Sequence, residues 1–309
     1  MAATGAVRES VYTEAFRTHE RRLWGLLYRL TGSAADADDL LQETFVRAIE
    51  RPPVDAAAPL LPWLVRVALN LGRDALRRRR RARYVGPWLP APVEAVNDAS
   101  DSPEGRYGLT ESASLAFLAA LEALTPQQRA VLLLRDVLDY SVRETADALD
   151  ISEANVKTTL HRSRRAMAAY DAKRMPITAQ VQELGRTALA RFLGHLAAGD
   201  AHGLERLLAE DARGVTDGGG EFVAALRPII GARKLTRFVL GVVPRGTASY
   251  SVDHVMLNGL PALVVKFHVP VERRASRFVV TVDVDAAGRI CELRVVMAAR
   301  KLTHVSFDR

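Results

Sequence analysis

The stretch Thr125–Met167 constrains the fold more than any other part of the chain, because three helix-start signals follow one another closely. Residues 125–128 (Thr-Pro-Gln-Gln) combine an N-cap threonine, a proline at the first helical position and a glutamine that can bond back to the cap. Ser141 and Glu144 can form a second capping box, and Ser152 can cap a third helix after a short turn. Apolar residues recur at helical spacing after each signal. The stretch therefore predicts a helix-turn-helix.

The third of these helices has two chemically different faces. Val156 and Leu160, four residues apart, would pack inward. A basic amphipathic helix on its own is often a solvated face, but three capped helices at this spacing favour insertion into a DNA major groove. The donors and acceptors that suit bases and phosphates are Ser152, Asn155, Lys157, Thr158, Thr159, Arg162 and Arg165.

Charge and cysteine content agree with an intracellular polyanion-binding protein. The 309 residues carry 43 Lys and Arg against 36 Asp and Glu, a net charge of +7. The single cysteine, Cys291, excludes an intramolecular disulfide and a cysteine-rich zinc site. The sequence shows no nucleotide-binding loop, signal segment or membrane-spanning run, so we expect a soluble, cytoplasmic protein without a metal or other cofactor.

Two amphipathic helices are predicted near the N-terminus, over residues 11–30 and from Ser33 onward. Leu41, Phe45 and Ile49 form the predicted buried stripe of the second helix. Two interpretations of its outward acidic face are open: compensation of the helix dipole, or a docking face for a basic or polar partner. The residues of that face are Asp36, Asp39, Gln42 and Glu43.

A third helix begins near Pro62 and ends in five consecutive arginines, residues 77–81. Such a run is commonly solvated, but on a folded helix that precedes a DNA-binding module it favours phosphate contacts. Trp63 is either a core residue or a platform for a base. Residues 84–110 are rich in proline, glycine and small polar residues and predict a linker, in which Trp88 and Leu89 need a surface to lie on.

The last third of the chain predicts an α+β domain. Helices are expected over residues 178–198, 204–208 and 231–240, and strands over 250–257, 262–269, 278–284 and 290–297. Residues 217–220 (Asp-Gly-Gly-Gly), 258–259 (Asn-Gly) and 287–288 (Ala-Gly) predict turns. Helices followed by a curved antiparallel sheet indicate a cone-shaped domain that can hold a pocket.

Residues 36–48, 62–70 and 74–78 together resemble region 2 of bacterial extracytoplasmic-function (ECF) sigma factors of the sigma-70 family. The helix-turn-helix resembles region 4 of the same family. The linker and residues 217–220 and 258–261 (Asn-Gly-Leu-Pro) are similar to a branch with a fused C-terminal SnoaL-like (NTF2-like) domain. The implied domains are region 2 at 8–83, the linker at 84–112, region 4 at 113–172 and the SnoaL-like domain at 178–303. The implied fold class is two all-α sigma domains plus an α+β cone.

The resemblance implies a factor that binds core RNA polymerase and directs transcription initiation, with its activity tuned by the C-terminal domain. The acidic helix would dock on the β′ clamp helices, and the β flap is a further polymerase partner. Region 4 would read the minus-thirty-five element of promoter DNA, while region 2 would read and open the minus-ten element through Trp63, Arg66, Asn70, Arg73, Arg77, Arg78 and Arg80. The residues assigned to a regulatory contact are Trp88, Leu89, Pro90, Asp217, Gly218, Gly219 and Gly220.

Four departures from the branch affect these assignments. Thr159 stands where many members have arginine, and Ala91 replaces a usual glutamate. Glu221 follows the glycines where lysine is common, and residues 298–302 (Ala-Ala-Arg-Lys-Leu) keep only the final Lys-Leu of Asn-Pro-Asp-Lys-Leu. They leave the sigma-factor prediction intact but weaken what the resemblance implies about regulation.

Two alternatives belong to other functional classes. In the first, the chain is a one-component regulator whose C-terminal pocket binds a small molecule or retains isomerase-like activity. Candidate proton shuttles for such activity have no diagnostic spacing; they are His202, Asp217, Asp253, His254 and His268. In the second, the chain is an ordinary repressor, which would explain the helix-turn-helix but neither the acidic helix nor the arginine-rich one.

Overall fold

The computed structural model describes residues 2–53, 59–82, 84–94, 106–242, 249–269 and 273–308. Two compact units divide the chain: a helical unit of residues 1–83, 96–113 and 117–174, and a mixed unit of residues 84–95, 114–116 and 175–309. The first part of the predicted linker therefore clusters with the C-terminal domain. Linker residues 95–105 lie outside the described residues.

The helical unit begins with three long helices: α1 (Ala2–Thr31), α2 (Ala34–Glu50) and α3 (Leu60–Arg81). The α1 helix begins nine residues before the predicted start at residue 11. The Ser33 side chain accepts a hydrogen bond from the Asp36 amide and caps α2, as the sequence predicts. The three helices pack through apolar stripes that include Leu23, Leu27, Leu30, Leu40, Leu41, Phe45, Leu64, Ala68 and Leu71.

The rest of the helical unit contains the helix-turn-helix. Short helices α4 (Leu109–Ser112) and α5 (Leu115–Ala120) precede α6 (Pro126–Leu132), α7 (Val142–Leu149) and α8 (Glu153–Ala166), and α9 (Ala168–Asp171) follows. Both predicted capping boxes form, and Ser152 caps α8. The first helix of the motif continues beyond α6 as a π-helical turn over Leu133–Val137.

The mixed unit is built from α10 (Ala179–Ala198), α11 (Ala201–Leu207), α12 (Ala232–Val242) and a sheet. In the part of the chain that the structure describes, the strand order is β2-β1-β6-β5-β4-β3. The sheet is mixed and not wholly antiparallel as predicted, because β1 enters beside the last strand, β6, and runs parallel to it. The strands are β1 (Leu208–Asp217), β2 (Ile229–Ile230), β3 (Tyr250–Leu257), β4 (Leu260–Phe267), β5 (Arg277–Val284) and β6 (Ile290–Val296).

Both faces of this sheet are covered by apolar side chains. On one face, Leu189 and Phe192 of α10 and residues of α11 and α12 pack against Leu263, Val280 and other strand residues. On the other face, Leu89 of the linker and the C-terminal residues Leu302, Val305 and Phe307 form a second core with the strands. The linker is thus part of a hydrophobic core. No described helix is long and apolar enough to cross a membrane.

Candidate nucleic-acid interface and linker clamp

The exposed side of α3 carries the residues predicted to contact the minus-ten element. Trp63 and Asn70 are half-buried, and Arg66 is exposed. Arg73 donates to the Asn70 side-chain oxygen at 2.5 Å, which orients that amide. Burial, with the neighbouring Arg77 charge, lowers the pKa of Arg73. The α3 helix therefore presents one side-chain amide and several cations. Groups of these kinds contact the bases and phosphates of single-stranded DNA.

The arginine run at the end of α3 divides into two groups. Arg77 pairs with Asp74 at 2.6 Å and is exposed, as is Arg78. Arg79 instead donates to the backbone oxygen of Thr31, and Arg80 donates to that of Leu124. Arg79 is half-buried, whereas Arg80 stays exposed. Arg80, predicted to contact DNA, already has a backbone acceptor within the protein.

The α8 helix presents its polar side as predicted, with one exception. Asn155, Lys157, Thr158, Arg162 and Arg165 are exposed, and Val156 and Leu160 are buried. Thr159 differs from its predicted outward placement: its side chain is 9% exposed and donates to the Asn155 side-chain oxygen at 3.0 Å. It follows Val156 by three residues and therefore turns toward the buried side.

The α2 helix exposes a stripe that continues beyond the predicted acidic face. Asp39 and Gln42 are exposed, Asp36 and Glu43 are half-buried, and Glu43 pairs with Arg47 at 2.8 Å. One and two turns further along lie Val46 and Ile49, 48% and 58% exposed. The prediction that Ile49 belongs to the buried stripe is wrong, because the stripe ends with Phe45 and Ala48.

A buried carboxylate in the mixed unit holds the linker. Asp217, at the end of β1, is 0% exposed. It accepts hydrogen bonds from the Tyr84 hydroxyl at 2.5 Å and from the Leu89 amide at 2.7 Å. Lys301 lies 2.5 Å from the same carboxylate and also donates to the Leu89 backbone oxygen. The charge and both backbone groups of Leu89 are therefore satisfied in the interior.

Two further contacts complete this arrangement, which we call the linker clamp (Tyr84, Trp88, Leu89, Val93, Asp217, Asn258 and Lys301). The Lys301 ammonium lies 4.1 Å from the centre of the Trp88 ring. Asn258 forms two hydrogen bonds with the Val93 backbone. The backbone amide of Asn258 donates to the Val93 oxygen, and the side-chain oxygen of Asn258 accepts from the Val93 backbone amide. Linker residues 89–93 are all buried, including Pro90.

The glycines of residues 217–220 form a turn and also allow neighbouring residues to pack close to their backbone. Gly219 and Gly220 have φ values of 61° and 80°, which favour glycine. A Cβ on Gly219 would lie 2.9 Å from Cβ of Ala298, and one on Gly220 would lie 3.3 Å from Val85. Gly218 has its own restriction, since a Cβ there would lie 2.7 Å from the Phe222 backbone oxygen.

Sequence reasoning missed Asn258 and Lys301 as clamp residues. Asn258 carried the signal of a hairpin turn, and its φ of 52° agrees with that role. Its second contact, with Val93, depends on a linker 165 positions away in sequence. Lys301 had been noted only because residues 298–302 keep the final Lys-Leu of the Asn-Pro-Asp-Lys-Leu motif.

The mixed unit also has an open cavity of about 420 Å³ at the β3 edge. Its walls include Glu94 of the linker, Arg186 of α10 and His254 and Met256 of β3. Among the candidate proton shuttles, Asp217 is held by Lys301, while His202, His254 and His268 are exposed. The described residues contain no group of His, Cys, Asp or Glu side chains that could hold a metal ion.

Comparison with known families defines the class of protein to which these two helical regions belong. Residues 15–82 match Sigma-70 region 2, and residues 114–167 match Sigma-70, region 4. The two regions together are those of a sigma-70-type RNA polymerase factor.

Individual relatives narrow the class. The ECF RNA polymerase sigma factor SigJ of Mycobacterium tuberculosis is 36% identical over 250 residues, which cover 80% of this chain and 77% of SigJ. SigG of the same species is 37% identical over 224 residues, or 64% of this chain and 58% of SigG. The chain belongs to the ECF RNA polymerase sigma factor family.

The similarity extends to the whole architecture. The crystal structure of M. tuberculosis SigJ superposes with a TM-score of 0.71 at 26% identity, covering 96% of this chain and all of that chain. The predictions of an ECF sigma factor and of helical sigma domains joined to a C-terminal sheet domain are confirmed.

Proposed function

We propose that this sigma factor contacts the polymerase and its promoter through three helices. The acidic α2 stripe docks on the β′ clamp helices, α3 captures and opens the minus-ten element, and α8 reads the minus-thirty-five element. Region 4 also meets the β flap. The factor acts in the cytoplasm, where polymerase and chromosomal DNA are. The observation that carries this proposal is the exposure, in a chain of this family, of both the α2 stripe and the polar side of α8.

The docking role of α2 has a direct test. Replacing Asp39 and Gln42 together by alanine removes two exposed polar side chains from the stripe and leaves the buried residues of α2 unchanged. We expect this variant to copurify with core polymerase at least about tenfold less well, a loss of about 1.4 kcal/mol. Asp211→Ala, an equally exposed acid on β1, is the control and should bind normally. Equal copurification of both variants would count against α2 as the docking face.

The regulatory role of the C-terminal domain rests on the linker clamp. The linker joins the two DNA-binding regions, and its length and freedom set the effective concentration of one region once the other is bound. A domain that buries residues 89–93 removes most of that freedom. The clamp therefore tunes promoter binding by limiting the separations that the two regions can adopt.

Transcription with purified core polymerase tests this proposal. The full chain, a chain that ends at Met175 and Asp217→Asn are compared on the same promoter. The truncated chain and Asp217→Asn should change transcript yield in the same direction, because both free the linker. Asp211→Asn is the matched control. Yields that match those of the full chain in both cases would contradict regulation through the clamp.

A small-molecule ligand of the C-terminal domain stays a prediction. The open cavity at Glu94 is of a size that binds small molecules, and one of its walls is the clamped linker. The sheet face beneath α10 is occupied by the apolar core.

A further inference from the structure

One stretch of the mixed unit carries positive charge without any acid. Residues 222–252 contain five Lys and Arg residues and no Asp or Glu, although the whole chain has 36 acids against 43 basic residues. Three of the five cations lie on α12, and the side chains of all three are exposed: Arg233, Lys234 and Arg237. Among the residues that the structure describes, none of these three has an acidic partner. By contrast, Arg289 in the β5–β6 turn pairs with Asp285 at 2.8 Å.

The three cations of α12 share one face of the helix. Arg233 and Arg237 are four residues apart, and Lys234 precedes Arg237 by three, so their side chains are neighbours on the helix surface. On the opposite face, Leu235 and Val239 are buried in the core beneath the sheet. The helix is therefore held in place by its apolar face, and its cationic face is directed to solvent.

The position of these cations is unfavourable for the helix itself. Arg233 and Lys234 lie in the first turn, where the helix dipole disfavours positive charge, and that turn contains no acid. Arg233 and Arg237 also repel each other across one turn. The three side chains thus do not stabilise α12, and an anionic partner would offset their repulsion.

The cations are arranged along a line and not around a pocket. At the other end of α12, Arg274 is exposed and donates to the Val242 backbone oxygen at 3.4 Å. The helix rises about 14 Å from Arg233 to Val242, at about 1.5 Å per residue. The cavities of about 420 and 460 Å³ are lined by residues outside α12. We call Arg233, Lys234, Arg237 and Arg274 the α12 cation row.

The length of the α12 cation row suits an extended polyanion. One strand of duplex DNA places a phosphate about every 3.4 Å along the helix axis, so about four phosphates lie along a row of this length. A compact anion instead needs donors that converge on one point, as they do in a pocket. Exposed arginine and lysine side chains without acidic partners are the groups that bind DNA phosphates.

We propose that the α12 cation row contacts the phosphate backbone of promoter DNA, which makes the C-terminal domain a further DNA-contacting part of the factor. The linker clamp keeps this domain near the promoter, because Tyr84, which bonds to Asp217, follows the last residue of α3 by three positions. Three residues span at most about 11 Å. The row adds affinity without sequence preference, since phosphates are the same at every base pair. The inference rests on the proposed function for the presence of the factor on promoter DNA.

A salt titration of promoter binding tests this proposal, with holoenzyme made from the full chain and core RNA polymerase. Arg233→Gln with Arg237→Gln removes two charges of the row. Arg191→Gln with Arg289→Gln removes two exposed cations elsewhere on the mixed unit and is the matched control. Unchanged circular dichroism verifies that both variants are folded.

The row variant should show a weaker dependence of affinity on salt. In a plot of log affinity against log salt concentration, its slope should be less steep by about 1.8, which is about 0.9 for each lost phosphate contact. Its loss of affinity should therefore be about tenfold greater at about 50 mM salt than at about 200 mM salt. The control should keep the slope of the unsubstituted factor. A row variant with an unchanged slope would overturn the proposal, and so would an equal change in the control, which would reflect net charge alone.

A photo-crosslinker identifies what the row touches. Attached at Arg237→Cys in a chain that also carries Cys291→Ser, it should join to promoter DNA in the holoenzyme complex. Crosslinks to a polymerase subunit alone would overturn the proposal, because the row would then bind an acidic protein surface. Arg162→Gln with Arg165→Gln on α8 tests the proposed function separately. Normal promoter binding by that variant, together with the weaker slope in the row variant, would leave the row standing and refute minus-thirty-five reading by α8.

Discussion

At the scale of single residues, the Asp217 carboxylate accepts hydrogen bonds from four donors of the mixed unit. It sits in the interior with a lysine as its counter-charge, and three further donors point at it. Buried ion pairs are not intrinsically stabilising, because both charges lose their hydration. Once formed, however, such a pair makes the loss of one partner costly. The linker supplies hydrogen bonds to both members of this pair, through the Tyr84 hydroxyl and the two backbone groups of Leu89.

Asp217→Asn should destabilise the mixed unit by about 3–5 kcal/mol, since it leaves the Lys301 cation buried without a counter-charge. Adding Lys301→Met should recover about 1–2 kcal/mol, because both charges are then absent. Urea denaturation measures both values. Asp211→Asn, exposed on the same strand, is the control. A double variant no more stable than Asp217→Asn would mean that the hydrogen bonds, and not the charge pair, carry the effect.

Tyr107 provides a pH prediction for the helical unit. Burial and a hydrogen bond to Asp171 raise the pKa of its hydroxyl to about 12 from the ordinary value of 10. A raised folded pKa contributes stability that is complete below pH 10 and is lost as the pH rises through about 12. We expect absorbance at the phenolate band to show a late-titrating tyrosine that Tyr107→Phe removes. Late titration that persists in the variant would contradict the assignment.

Residue-level prediction from sequence succeeds where the cause is local. The three helix caps and the outward residues of α8 follow from neighbours three or four positions away. Arg79 and Thr159 could not be placed correctly, because what turns them inward is a carbonyl of α1 or the packing of another helix. The residues around Asp217 predict only a turn, and it was the family resemblance that assigned Asp217 and Leu89 to one regulatory contact. Its partners at positions 84 and 301 were not predicted, because they converge only in the folded sheet.

At the scale of elements, the strands with clear alternation were predicted almost to the residue. The β3 strand has the predicted bounds, and β4, β5 and β6 differ by one or two residues. The β1 strand was missed over most of its length, because it starts directly after α11 with no turn residue between them. The exposed charged residues Glu210, Asp211 and Arg213 of this strand also obscure the strand pattern.

The β3–β4 hairpin gives a prediction about how an element holds the linker. Asn258→Gly keeps the positive φ but removes the acceptor of the Val93 amide, at a cost of about 1–3 kcal/mol. Asn258→Ala also strains the backbone and should cost about 1–2 kcal/mol more. Hydrogen exchange at the Val93 amide should accelerate in both variants. Ala287→Gly, in the β5–β6 hairpin, is the control and should leave this amide protected; acceleration there would point to general loosening of the sheet.

At the scale of the whole molecule, one segment of the chain has two structural roles. Residues 84–94 join the DNA-binding regions in sequence, yet they complete the core of the C-terminal domain. Composition predicted a flexible tether here, since prolines and small residues dominate. The structure differs because prolines also suit an extended segment that packs against a sheet. If the proposed clamp operates, we expect this segment to carry the effect of the domain to the DNA-binding regions.

Promoter spacing is the property that this shared segment should control. Each added base pair moves one promoter element by about 3.4 Å and rotates it by about 35°. A clamped linker tolerates little of either, so on a promoter selected with the full chain, transcription should fall steeply when the spacer changes by one or two base pairs. In Asp217→Asn the freed linker should flatten this profile, raising relative activity at the altered spacers on the order of tenfold. Asp211→Asn should retain the steep profile. If the profile of Asp217→Asn is as steep as that of the full chain, the spacing is set by the two DNA-binding regions themselves and not by the clamp.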